Sequence, residues 1–129
     1  MFHMHSIFDL RPNHTLQDFS AAWRALIQAM RAEDLIVSAS GIGERRRDTP
    51  LDTDDSNDRR YFTVMSFRDR AQSEAAWAQI APRREPVSSL HIQVNAMVTN
   101  AVFVCWEDLA DTDPTDPVAP PLAVAQAGT

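Results

Sequence analysis

Lysine is absent from the 129 residues: all 12 basic side chains are arginines. Schiff-base catalysis and the lysine of a nucleotide-binding P-loop are thereby excluded. Glycine is scarce, with only Gly41, Gly43 and Gly128, so no glycine-rich phosphate cradle can be built. Cys105 stands alone, which rules out an intrachain disulfide and suits a reducing compartment. No apolar run approaches the roughly 18–20 residues of a membrane helix. The opening MFHMHSIFDL has no basic region and no long apolar stretch, unlike a signal peptide. A soluble, cytoplasmic protein without a membrane partner is expected, and the sequon Asn13-His14-Thr15 is then accidental. Basic surplus is missing too. Eighteen acids against 12 bases give a net charge of −6, which argues against a nucleic-acid partner. No serine sits in a Gly-x-Ser-x-Gly elbow, so an α/β-hydrolase has no support.

What is present suits one domain: 44% hydrophobic and 23% charged residues. Residues 2–10 alternate as a strand, with Phe2, Met4, Ser6 and Phe8 on one face and His3, His5, Ile7 and Asp9 on the other. A helix is predicted over 16–32, capped by Thr15 with Asp18 as reciprocal partner. Leu16, Phe19, Trp23, Leu26, Ile27 and Met30 form its apolar stripe. A second strand spans 35–46, where Gly41 and Gly43 mark a bulge or bend. The polar loop 47–57, with Pro50 and four Asp, has too little apolar surface to order itself well. A third strand covers 59–67. A second helix over 70–81 is capped by Asp69 with Gln72 in the answering position, and Pro82 ends it. Residues 87–98 fit a helix with Pro86 as its first residue, and also fit a strict alternation. Helix is preferred, because one strand from 90 to 106 would be far longer than usual. A last strand covers 100–107. The remainder, 109–129, is an acidic, proline-rich tail, with a solvated, mobile terminus as its plain reading.

The order strand, helix, strand, strand, helix, short helix, strand predicts an α+β fold. It is a ferredoxin-like βαββαβ sandwich over 1–108 with an extra short helix before the last strand. Helices cover one sheet face, and the other should then be polar in a monomer. Here the strands carry large apolar residues on both faces: Phe2 and Ile7, Tyr61 and Phe62, Phe103 and Val104. At about 25 cal/mol per Å², leaving such a face in water is costly. A second subunit covering it is the simple solution.

The segments HSIFDLRP, SFRDRAQ and PVSSLHIQVNAMVTNAVF resemble an uncharacterised bacterial family of the dimeric α/β-barrel superfamily. The likeness covers residues 2–108 and is strongest in the last segment. The loop 47–57 and the tail look peculiar to this chain. The resemblance implies a homodimer whose two sheets face each other as a barrel, and no agreed activity. The wider superfamily includes haem-degrading and quinone-forming monooxygenases, decarboxylases and stress-responsive proteins, and fold alone does not choose among them. Haem-degrading members look similar at Trp77 and His91, where the His ligates iron and the Trp helps ruffle the ring. They also need an Asn on the first strand. This chain has Ser6, Ile7 and Phe8 there, which speaks against haem oxygenation.

Several constellations remain. His91 and Asn95, four apart on a helix, share a face, and Asn95 can fix the imidazole tautomer. With Tyr61 nearby, His91 is the candidate catalytic base for a small ligand; a polar helix face or a dimer contact is the plainer alternative. His3 and His5 point the same way from one strand and can chelate a transition metal if further ligands exist, such as His14 or Asp9. Solvated histidines are the commoner case, and no metal or cofactor is assigned. Residues 52–63 fail as a calcium loop, with Asn57 at the sixth position and Thr63 at the twelfth. Arg45, Arg46 and Arg47 read as a solvated face. Cys105, mid-strand among Phe103, Val104 and Trp106, is expected to be buried and inert.

The functional expectation is a small homodimer binding an apolar or aromatic ligand between sheet and helices, in a pocket lined by Trp23, Tyr61, Trp77, His91 and Asn95. The alternatives are a cofactor-independent monooxygenase or isomerase with His91 as base, and a haem-binding or haem-degrading protein.

Overall fold

Period-two patterning makes β1 (Phe2–Leu10) a two-faced strand, and in the structure it lies at the centre of the sheet. The structure, a computed structural model, describes residues 1–117; residues 118–129 of the expected tail lie outside them. α1 (Leu16–Ala32) follows, with the capping box formed as its sequence predicts: Thr15 Oγ1 accepts from the Asp18 amide, and the Asp18 carboxylate accepts from the Thr15 amide. Its end is a Schellman turn. Asp34 takes a φ of 55°, the Leu35 amide donates to the Met30 carbonyl and the Asp34 amide to Arg31.

The expected strand 35–46 is broken into β2 (Ser38–Ala39) and β3 (Gly43–Glu44), both paired antiparallel with β4 (Tyr61–Phe67). Five residues from Ala39 to Gly43 oppose four from Met65 to Phe62, so one residue is extra and the strand bulges. Ser40 holds the break, its hydroxyl accepting from the Val64 amide. Gly43 packs closely: a Cβ there would sit 3.2 Å from Cδ1 of Phe62, so the ring would have to give by a few tenths of an ångström.

α2 (Arg70–Ile80) starts at Asp69, which accepts from the Gln72 amide; the Gln72 side chain answers one residue earlier than expected, accepting from the Arg68 amide. α3 (Val87–Met97) bears out the helical choice, with Pro86 as the flanking cap residue rather than the first helical one. β5 (Val98–Glu107) begins directly at its end. The junction bends where Asn100 takes a φ of 56°: between the pairs Asp9–Thr99 and Ile7–Val102, two residues of β5, Asn100 and Ala101, oppose one of β1, Phe8.

The strands run β2-β4-β1-β5, all antiparallel, with β3 beside β4. This is the ferredoxin-like α+β sandwich with one extra helix. The core is the stripe of α1 (Phe19, Ala22, Trp23, Leu26, Met30) packed on Phe8, Tyr61, Met65 and Phe67, closed by Val87, Val94 and Met97. The far sheet face carries Ile7, Phe62, Val64, Val104 and Trp106, with no helix over it. Trp106 is 58% and Phe62 38% exposed there.

The loop after β3 differs from expectation. It is tied to Arg45, whose guanidinium forms two 2.8 Å bonds to Asp52 and also reaches the carbonyls of Asp54 and Asn57. Apolar burial is indeed scarce there; a charge-assisted arginine fork organises the turn instead. Among the described residues no helix is long and apolar enough to cross a membrane.

Candidate functional site

β1, β4 and β5 send Phe2, Met4, Met65, Phe67, Phe103 and Cys105 towards the helices, and α2 and α3 do not fully cover them. The result is a cleft of about 560 Å³, a size ordinary for small-molecule sites. Trp77 and Ile80 of α2 form one wall, and His91 and Asn95 of α3 another. Arg70 and Glu74, an ion pair at 3.3 Å, stand at the rim. A narrower extension runs inward past Ser6, Thr63 and Trp23 and shares His91, Asn95 and Phe103.

Of the residues expected at the site, Trp77, His91 and Asn95 line this cleft and Trp23 borders its inner extension. Trp77 is 63% exposed, so its ring is a wall of the cleft and not part of the core. Tyr61 is not brought to them. It is buried against Phe8, ring centroids 6.1 Å apart, under the guanidinium of Arg60, and borders a separate depression with Arg59 and Arg60. Strand alternation does point Tyr61 towards the helices, but it lies at the far end of β4 from Met65 and Phe67.

Phe103 and Cys105 are among the cleft residues that sequence reasoning missed, with Phe2, Met4, Met65, Phe67 and Ile80. Cys105 is exposed, contrary to the expectation of a buried thiol, because β5 is an edge strand whose helix-facing side is left open. The pairing of Ser6 with Phe103 and Met4 with Cys105 was the available signal, since those partners face the helices.

Burial lowers the His91 pKa below the usual imidazole value, so the ring is neutral near pH 7. Asn95 Nδ2 lies 3.5 Å from His91 Nε2. With the amide donating to Nε2, the ring proton sits on Nδ1, which leaves Nδ1–H as a donor.

The histidines of β1 are engaged elsewhere. His3 Nδ1 lies 2.8 Å from Ser66 Oγ and its Nε2 3.0 Å from Asp108. His5 lies edge-on to Phe62 and Trp106. Both are on the far face, and among the described residues no three His, Cys, Asp or Glu side chains converge as metal ligands.

No curated protein matches the chain in sequence. Solved structures match in fold. A cofactor-independent oxygenase, SnoaB of Streptomyces nogalater, is 14% identical with a TM-score of 0.60, covering 88% of this chain and 96% of its own. The protein At3g17210 of Arabidopsis thaliana is 4% identical with a TM-score of 0.66, covering 87% and 99%. A dimeric ferredoxin-like protein of unknown function from Jannaschia sp. CCS1 is 14% identical with a TM-score of 0.60, covering 83% and 98%. Such identities carry the fold alone. In sequence, residues 1–119 match a family of unknown function, DUF6614, and the chain belongs to that family.

Proposed function

We propose that the protein is a homodimer in which each copy binds a small, largely apolar or aromatic ligand in the cleft between sheet and helices. The observation that carries the ligand is the composition of that cleft. Its walls are aromatic, aliphatic and thioether side chains, and its interior polar groups are few: His91 and Asn95, with Cys105 and Ser73. Apolar walls with a few fixed polar groups suit a ring system bearing one or two oxygens. Nδ1–H of His91 donates to a ligand carbonyl or phenolate oxygen.

The dimer rests on the far sheet face. Phe62, Val104 and Trp106 stand exposed in a row beside His5 and Ile7. A second copy removes that surface from water. The similar structure from Jannaschia sp. CCS1 is described as dimeric, which supports the same arrangement.

A second reading is favoured by the neutral His91 and by the fold shared with a cofactor-independent oxygenase. With the Asn95 amide turned so that its oxygen accepts from Nε2–H, Nδ1 becomes a free base. It can take a proton from an activated methylene of the ligand. Returned at another carbon, the proton gives an isomer. In the presence of dioxygen, the methylene becomes a carbonyl: one oxygen atom stays in the product and the other leaves as water with the two hydrogens. Haem fits less well. The cleft-facing side chains of β1 are Phe2, Met4, Ser6 and Phe8, none an amide donor.

The test is titration with 2-naphthol, an aromatic ring with one hydroxyl, followed by tryptophan fluorescence. Saturable quenching is expected, weakened by His91→Ala and lost in Phe103→Asp. Unsaturable binding, or equal affinity in both variants, overturns the reading. Proton exchange from an activated methylene substrate, lost in His91→Ala, would favour the second reading.

A further inference from the structure

A second concavity lies on the opposite flank of α1, away from the cleft and from the exposed sheet face. It is a groove of about 470 Å³ between α1 and residues 39–42. Its floor is apolar: Leu16, Trp23, Ile27 and Ile42. Leu16 is 41% exposed there although it opens the apolar stripe of the helix. Among the described residues the only charged side chains lining it are Arg24 and Arg31.

Seven of the 12 arginines are engaged elsewhere in the fold. Arg45, Arg46, Arg60, Arg68 and Arg70 each have a carboxylate within 4 Å, and Arg47 and Arg59 hold backbone carbonyls. Among the described residues Arg24 and Arg31, like Arg11, Arg83 and Arg84, have neither a carboxylate nor a hydrogen-bond acceptor for their guanidinium, in a protein of net charge −6, and these two share one groove. Seven residues apart on one helix, they stand about 10 Å from each other along its axis. The local charge of the groove is therefore positive and uncompensated.

The wall facing the helix is pinned. Trp23 Nε1 donates to the Ser40 carbonyl at 3.0 Å, and the Ser40 hydroxyl, 2.7 Å from the Gly41 carbonyl, also holds the Val64 amide at 2.7 Å. The groove is formed before any ligand arrives, which lowers the cost of binding. At its lip Gly41 faces open space: a Cβ there meets nothing within 4 Å, and its φ is not positive.

We propose that this groove binds an amphipathic carboxylate, its apolar body on Leu16, Ile27 and Ile42 and its carboxylate on the guanidinium of Arg24 or Arg31. Charge complementarity selects the anion, and the apolar floor between the two arginines selects an alkyl or aryl body over an inorganic ion. The groove shares only Trp23 with the inner extension of the cleft and no residue with the cleft itself, so its ligand does not depend on any reaction there.

Isothermal titration of the full chain with dodecanoate, below its micellar concentration, tests it, with dodecanol as the uncharged control. Saturable binding of dodecanoate in preference to dodecanol is expected. Arg24→Gln with Arg31→Gln should weaken it about tenfold or more. Gly41→Phe, whose Cβ meets nothing within 4 Å, should abolish it while the melting temperature holds. His91→Ala and Phe103→Asp should leave it unchanged, so failure at the cleft and failure here are separable. Equal affinity for dodecanol, or no effect of the double arginine variant, overturns the proposal. So does a change of oligomeric state in Gly41→Phe, which would make a second copy the occupant.

Discussion

Asn95 Nδ2 lies 3.5 Å from His91 Nε2, one turn along α3, and the two side chains face the same cleft. An amide at that position decides which ring nitrogen keeps its proton. Nitrogen-15 spectra of His91 should show one dominant tautomer protonated on Nδ1, and Asn95→Ala should give a tautomer average. A dominant Nε2–H form in the wild type would instead support the base reading. Naphthol affinity should fall a few-fold in the variant.

Acid should destabilise the fold through His91. Its folded pKa lies below the ordinary value of about 6.5 because burial disfavours the charged ring. Above that pH both folded and unfolded chains hold it neutral, and it contributes nothing to the pH dependence. As pH falls below about 6.5 the unfolded chain takes the proton first, and stability declines until the folded pKa is passed. Urea unfolding from pH 7.5 to 5 should show the decline, and His91→Gln should flatten it.

Association should depend on the face opposite the helices. Val104 and Trp106 alternate with cleft-facing Phe103 and Cys105 on β5. Trp106→Glu with Val104→Glu should convert a two-copy particle to single copies in sedimentation at micromolar concentration, with unchanged circular dichroism. A wild-type protein that sediments as a single copy would remove the dimer from the proposal.

The centre of α1 should carry a large share of stability. Leu26 is 1% exposed, between the sheet and α3. Leu26→Ala should cost about 3 kcal/mol by urea unfolding, from lost transfer energy and the cavity left behind. Thr15→Ala, removing the cap, should cost about 1 kcal/mol.

Arg45 should control the loop that follows it. Its fork onto Asp52 is mostly shielded from water, and it also holds two loop carbonyls. Arg45→Ala should open residues 46–58 to limited proteolysis many-fold faster, with a small change in melting temperature, because the loop buries few core side chains. Unaltered cleavage rates would mean the fork does not order the turn.

Local signals made most of the fold legible. The box at Thr15, the apolar stripe of α1 and the alternation of β1 and β4 are set within a few residues, by hydrogen bonds and periodicity; over 87–98 periodicity is ambiguous, and the length an unbroken strand would need decides for helix. The break between β2 and β3 was hinted at by Gly41 and Gly43, but its place depends on Ser40 meeting Val64 across the sheet. The cleft was half legible. Helical spacing joined His91 to Asn95, yet nothing local could remove Tyr61 from them or bring Cys105 to them.

The sequence by itself determined the elements, their order and the two-faced apolar character of the strands. Those follow from period and chain chemistry, which act over a turn or a pair of residues. Only the tertiary structure decided which side chains share a cavity, that Tyr61 stands apart from it, and that Arg24 and Arg31 face a groove without acids. Such relations depend on register and on where a helix stops covering a sheet, and both are set by packing between segments far apart in the chain.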